Sequence, residues 1–407
     1  EIKSTFGGSA WEYDKYSSQY YLHLHDVRQP DLNWENPRVR KDIEDMVNFW
    51  IDFGVDGFRL DVIDLISKDV DNLITRNGAK LHGYIRELSK NTFLRKDIIT
   101  VGEAWGATPE IAEMYSNPDR KELSMVFQFE VFSLDKQVGK SKWDLKELDF
   151  IKFKEVFRKW QRELYGKGWN SIVGSNHDLP RLVSRWGNDK NYRVESSKML
   201  ATMLHMQMGT PYIYQGEEIG MTNVKFNSIK EYNDVETLNM YKERIELGYK
   251  EEEIMKSIYS KGRDNARTPM QWNSEKSAGF TTGKPWLPVN TNYNEINVED
   301  SLKDKNSIFY YYKDLISLRR KHDVIKYGEF ELVFKDNEDI FGYRKKYEDE
   351  ELLVLCNFKE SNKEITIPDD FLNRNYELLI SNYNGNEKLK EKIELKAYEA
   401  IVYRFFE

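Results

Sequence analysis

Gly54-Val55-Asp56-Gly57-Phe58-Arg59-Leu60-Asp61-Val62 reads as a helix-ending glycine followed by a short buried strand that closes on a carboxylate. The residues before it supply the helix. Asn36 is a good N-cap, and Pro37 sits at the first helical position, where a missing N–H costs nothing. Val39, Ile43, Met46, Val47 and Trp50 follow at spacings of three or four, one apolar stripe. Gly54 then stands in the usual C-terminal glycine position.

The same unit recurs downstream. A helix is predicted around 78–91, then a strand at Ile98-Ile99-Thr100-Val101-Gly102 and another near 124–129. A helix over 150–165 precedes a strand at 171–174. A helix over 192–208 precedes Thr210-Pro211-Tyr212-Ile213-Tyr214. Short apolar strands alternating with amphipathic helices argue for a parallel β/α architecture. About five such strands are present, too few for a closed eight-stranded barrel.

Segment 216–300 breaks the alternation with helices at Asp234 to Gly248 and Glu251 to Tyr259 and a polar loop. Residues 301–322 read as one further helix. From about 328 short β segments take over, at 331–334, 340–343 and 352–355, and a separate antiparallel β domain is expected. Asn384-Gly385 is a hairpin signal, and the Lys/Glu alternation over 387–394 reads as a solvated face. Residues 1–34 are aromatic and loop-like, with no element that reads as a first strand. The chain opens at Glu1 without Met or a signal-like segment. A fragment is expected, lacking its front, unstable and inactive by itself.

Composition narrows the function. With 61 Lys+Arg against 69 Asp+Glu the net charge is −8, opposite to the clustered basic excess of a nucleic-acid binder. No stretch approaches the ~18 apolar residues of a membrane helix. One cysteine, Cys356, excludes an internal disulfide framework and a four-cysteine zinc site, and fits a reducing cytoplasm.

Three carboxylates fall at strand ends: Asp61, Glu103 and Asp178, the last after Ser175-Asn176-His177. Any one could simply cap the next helix. Three at corresponding positions, with Arg59 two residues before Asp61 and His177 beside Asp178, point instead to a site at the C-terminal face of the strands. Paired carboxyls suit glycoside hydrolysis, and a separation of roughly 5–5.5 Å would give retention through a covalent intermediate. Arg59 alternates with Asp61 on one strand face, which favours the anionic, nucleophilic carboxylate. Glu103 must keep a proton, and Trp105 with the neighbouring carboxylates is expected to raise its pKa. Asp178 and His177 would grip sugar hydroxyls.

Gly57-Phe58-Arg59-Leu60-Asp61, Val101-Gly102-Glu103 and Asn176-His177-Asp178 resemble three segments of the α-amylase superfamily, glycoside hydrolase family 13. Gln29 to Trp34, Tyr214 to Asn223 and Gly262 to Trp272 resemble segments of its oligo-1,6-glucosidase subgroup. The resemblance implies strands four to eight of a (β/α)8 TIM barrel with a C-terminal antiparallel β-sandwich domain. It divides the chain into 1–33 (the end of the inserted subdomain), 34–327 (barrel) and 328–407 (β domain). It makes Asp61 the nucleophile, Glu103 the general acid/base and Asp178 the third, stabilising carboxylate. Arg59, His177 and Arg263 would line the same glucose subsite. Val62 resembles relatives that prefer α-1,6 linkages. Trp105, within Glu103 to Pro109, is more similar to the glucan 1,6-α-glucosidases. Lys142 and Glu236 match positions near the aglycone.

The implied activity is retaining hydrolysis of α-1,6-glucosidic bonds at the non-reducing end of isomalto-oligosaccharides. Trehalose-6-phosphate hydrolysis is the alternative, requiring a cationic phosphate pocket that the sequence does not reveal. A third reading is a non-catalytic relative such as the amino-acid-transporter heavy chains, but those lack the full carboxylate set kept here. No cofactor is implied for the chemistry. The family's first loop, where many members hold calcium, has no counterpart here, so a structural calcium is expected only in the missing N-terminal part. A monomer is expected for the full-length protein, with an oligosaccharide as its only partner.

Overall fold

The computed structural model describes residues 1–385 and 388–406. It opens with an antiparallel hairpin, β1 (Trp11–Asp14) and β2 (Gln19–Leu22). The sequence suggests a loop here, because the hairpin carries aromatics on both faces and shows no apolar alternation. α1 (Pro37–Phe53) starts on Asn36, whose side chain accepts the Arg38 N–H. It stops at Gly54, whose φ of 111° only glycine adopts readily.

Five parallel strands follow, β3 (Gly57–Leu60), β4 (Ile99–Glu103), β5 (Met125–Phe127), β6 (Asn170–Val173) and β7 (Thr210–Tyr212). β3, β4, β5 and the start of β6 lie side by side in chain order. α2 (Leu81–Asn91), α3 (Pro109–Ser116) and α4 (Phe150–Glu163) intervene, and α5 (Leu182–Trp186) and α6 (Arg193–His205) precede β7.

The chain divides into two compact units. The first comprises residues 1–132, 163–171 and 235–248. In it β3, β4, β5 and the start of β6 pair in parallel. Arg59 lies level with Val101 and Leu60 with Gly102. That register carries Asp61, one residue further on, level with Glu103. β3 is the outermost strand, not the buried one expected, and Phe58 and Leu60 are only half-buried. The stripe on α1 is also only partly covered. Val47 and Ile51 are buried, while Met46, Phe49, Trp50 and Phe53 face solvent.

The second unit comprises residues 133–162, 172–234 and 249–407. The single helix expected over 301–322 is two, α10 (Val298–Lys303) and α11 (Ile308–Lys321), with α8 (Glu251–Lys261) and α9 (Asp264–Arg267) before them; α7 (Val235–Glu246) belongs to the first unit. Asp304 and Asn306 form a polar turn between α10 and α11, where the Asp304 carboxylate accepts the Asn306 N–H at 2.8 Å.

The C-terminal β region has a five-stranded antiparallel sheet and a two-stranded one. The first is built from β8 (Glu329–Val333), β9 (Ile340–Tyr347), β10 (Glu350–Asn357), β12 (Tyr376–Ser381) and β14 (Ala400–Phe405), and the second from β11 (Lys363–Thr366) and β13 (Lys392–Leu395). Leu353, Leu355, Ile401 and Tyr403 of the larger sheet share a core with Ile365, Ile393 and Leu395 of the smaller. Asn384-Gly385 does not make a hairpin. β12 pairs with β14, and β13 pairs with β11. The alternation through 392–395 is a strand, with Lys392 and Glu394 outward and Ile393 and Leu395 buried; Glu387 lies outside the described residues. This region is fastened to the helices of its unit. Tyr343 Oη donates to the Met203 carbonyl on α6 at 2.8 Å, and Lys154 Nζ donates to the carbonyls of Phe334 and Asn337.

Candidate active site

In the first unit, the ends of β3 and β4 bring together five of the residues singled out from sequence. Arg59 forks between two carboxylates. Its Nη1 pairs with Asp61, and its Nη2 lies 2.7 Å from Glu103 Oε2. The two acids differ in environment. The Asp61 side chain is 69% exposed and that of Glu103 is 4% exposed. Burial pushes the Glu103 carboxyl up from its ordinary range. The Arg59 charge opposes that shift, as do the Trp105 and Val62 N–H donors, and the Asp61 charge adds to it. The direction expected from sequence is found, but its cause is desolvation. Trp105 acts the other way, because its indole Nε1 donates to Glu103 Oε1 at 3.0 Å. The Trp105 ring stacks on Phe129, with centroids 3.9 Å apart.

Val62 has φ 37° and ψ 43°. A β-branched residue in the left-handed region is strained by about 1–3 kcal/mol. The turn aims the Val62 N–H at Glu103 Oε2, 3.1 Å away. Its side chain packs against a cluster of Ile2, Ala10, Leu24 and Leu65. Glu236 opens α7 in this same unit.

In the second unit, Asp178 sits on the loop after β6, where its N–H is held by the Asn176 side chain at 2.8 Å. Asp178 Oδ1 receives Arg263 Nη1 at 3.2 Å and Arg267 Nη2 at 2.5 Å, and Oδ2 lies 3.2 Å from His177 Nε2. Arg263 is fixed from its other side by Asp234, at 3.0 Å from Nε. Asp264 in turn holds the N–H groups of Asn233 and Asp234 at 2.7 and 3.0 Å. Lys142 lies in this unit with its Nζ over the Trp143 ring, 4.6 Å from the centroid.

Arg267, Asp234 and Arg181 were missed from sequence. Arg267 stands four residues after Arg263, so one turn of the short α9 puts both guanidinium groups on one face. That spacing was legible. Asp234 carried no signal, because its partner is 29 residues away. Buried Arg181 donates to the carbonyls of Gln215, Asn265 and Ala266 at 2.7, 3.1 and 3.2 Å, tying the loop after β7 to α9. Among the described residues, no group of three or more His, Cys, Asp or Glu is arranged to hold a metal ion, and no helix is long and apolar enough to cross a membrane.

Comparison with known proteins gives a consistent picture. A family model described as alpha amylase, catalytic domain, matches residues 1–328, and one described as the alpha-amylase SusG C-terminal domain matches 340–402. The oligo-1,6-glucosidase of Parageobacillus thermoglucosidasius is 51% identical, over 99% of this chain and 74% of its own length. The glucan 1,6-alpha-glucosidase of Streptococcus pneumoniae is 50% identical, over 97% of this chain and 73% of its own. The solved trehalose-6-phosphate hydrolase of Bacillus licheniformis superposes with a TM-score of 0.93 at 46% identity, covering 100% of this chain and 75% of that one.

Proposed function

The chain belongs to the α-amylase family of glycoside hydrolases, and on that footing we propose that it is a retaining α-glucosidase acting on α-1,6-glucosidic bonds at the non-reducing end of isomalto-oligosaccharides. The observation that carries this is the Arg59 fork between an exposed Asp61 and a buried Glu103. Asp61 pairs with Arg59 and is open to an incoming sugar; Glu103 is pushed toward its protonated form. Glu103 donates its proton to the glycosidic oxygen while Asp61 attacks the anomeric carbon, breaking the C–O bond and forming a glycosyl ester. Glu103, now a carboxylate, takes a proton from water as water attacks that ester. Released glucose therefore keeps the α configuration. By the family resemblance, Asp178 with His177, Arg263 and Arg267 takes a role in binding sugar hydroxyls, and Lys142 and Glu236 roles toward the aglycone. No cofactor enters these steps.

The same reading takes β3 to β7 as the later strands of a (β/α)8 barrel, residues 1–33 as part of an inserted subdomain and 328–407 as a C-terminal domain. The ends of the two family matches support the boundary near residue 328. It also takes the full-length protein as a monomer, and as cytoplasmic, which a single cysteine, Cys356, fits. Trehalose-6-phosphate hydrolysis is a second reading, favoured by the Bacillus subtilis enzyme of that name at 47% identity. Rates on isomaltotriose and trehalose 6-phosphate separate the two. Faster turnover of isomaltotriose, with α-glucose released first, is the expected result. A preference for the phosphorylated disaccharide would replace the first reading by the second.

A further inference from the structure

Two side chains that stand apart from the substrate converge on one glycine beside the acid/base. Asp64 follows Asp61 by three residues and is fully buried. Its Oδ2 accepts the Gly106 N–H at 2.8 Å and pairs with Arg76 Nε at 3.0 Å. Asn77 Nδ2 donates to the Gly106 carbonyl at 3.0 Å, and the Asn77 N–H donates to the Asp64 carbonyl at 2.8 Å. Both backbone polar groups of Gly106 are thus held by the segment that follows β3. The approach is close. A Cβ on Gly106 would stand 2.3 Å from Arg76 Cδ and 2.7 Å from Asn77 Nδ2, so a side chain there would displace both.

Gly106 is the residue after Trp105, whose indole N–H rests on Glu103 and whose ring is backed by Phe129. We infer that Asp64, with Arg76 and Asn77, is a positioning residue for proton donation. It fixes the Trp105–Gly106 turn, and through that turn the Glu103 carboxyl, to the same segment that carries Asp61. The nucleophile and the proton donor are thereby held by one network and keep their spacing when either strand end moves. The inference rests on the reading of Glu103 as general acid.

A buried carboxylate engaged this way could serve stability alone, so the test must separate the two roles. Cleaving an alkyl glucoside needs a proton on the leaving oxygen; expelling 4-nitrophenolate needs little. General acid catalysis is worth about 10²–10⁴-fold, and a displaced donor forfeits part of it. In the full-length enzyme, Asp64→Ala is expected to lower kcat/KM for isomaltose by ~10-fold or more. The loss on 4-nitrophenyl α-glucoside should be several times smaller. Freed of the indole N–H, Glu103 should ionise at higher pH, moving the alkaline limb of the isomaltose profile upward. Asp64→Asn keeps an acceptor for the Gly106 N–H and should restore most of the isomaltose rate. Asn77→Ala, which removes only the donor to the Gly106 carbonyl, should shift the substrate ratio in the same direction and carries the test if Asp64→Ala does not fold. Equal losses on both glucosides with an unmoved limb would overturn the inference. The wild-type rates on the two glucosides test the proposed activity by themselves, so either claim can fail without the other.

Discussion

The backbone N–H of Val62 donates to Glu103 Oε2 at 3.1 Å. The donor is the residue after Asp61, and the acceptor is the carboxyl that Arg59 also holds. Reaching that geometry costs Val62 an αL backbone, the kind of local strain that persists only where its surroundings dictate it. The side chain we propose to bear on linkage preference is thus set by the same turn that orders the two acids.

Val62→Ala and Val62→Thr are expected to weaken the preference for α-1,6 over α-1,4 bonds. Val62→Ala removes both γ-methyls and Val62→Thr replaces one with a hydroxyl, changes worth about 1–3 kcal/mol in relative transition-state binding. The ratio of kcat/KM for isomaltose over maltose measures it, and an unchanged ratio counts against a role for Val62 in specificity.

Glu103 should govern the alkaline limb of activity. Burial raises its pKa, while the Trp105 N–H draws it down, so Trp105→Phe should move the limb to higher pH. A pH profile of kcat/KM checks this; a limb displaced to lower pH would contradict the assignment.

Glu217 supplies a stability prediction. Buried, it accepts hydrogen bonds from Tyr312 Oη at 2.7 Å and Ser175 Oγ at 2.8 Å, and burial lifts its carboxyl from 4.5 to about 7. The folded state therefore binds more protons than the unfolded state between those values, and stability falls as pH rises through that window. The loss is on the order of 3 kcal/mol by pH 8. Glu217→Gln keeps hydrogen-bonding capacity and removes the titration. Its Tm should fall less than that of wild type between pH 5 and pH 8, and parallel Tm curves would sink the prediction.

The outer face of α1 supplies another. Phe53 is 75% exposed and stacks with Phe49, beside Trp50. β3 is the outermost strand of its sheet, and an edge strand is a template for pairing with another chain. Residues 1–407 expressed alone should bind an apolar dye, self-associate and melt broadly, and Phe53→Lys should reduce the dye signal. A monomer with no dye binding and a sharp transition would show that this face is tolerated.

The parallel strands and their acidic ends were legible because buried strands are short apolar runs and helix caps are local signals. Asn36, Pro37 and Gly54 marked α1 by chemistry confined to the chain around them. What escaped the sequence depends on distant partners. The exposure of Met46 and Trp50 is decided by what packs on α1, not by the stripe they belong to. Asn384-Gly385 carries a hairpin signal, yet β12 and β13 find partners in different sheets. In the site, Asp61, Glu103 and Asp178 could be read from strand ends. The clamp of Asp64 and Asn77 on Gly106 could not, because its residues lie up to 42 positions apart.

The central claim is that Asp61 is the nucleophile, and trapping the intermediate tests it most directly. The full-length enzyme, treated with an activated 5-fluoro-α-glucosyl fluoride, should gain one glycosyl mass, and peptide mass spectrometry should place it on Asp61. Asp61→Asn should neither label nor turn over isomaltose, since an amide cannot form the glycosyl ester. A label on Glu103 or Asp178 would contradict the account.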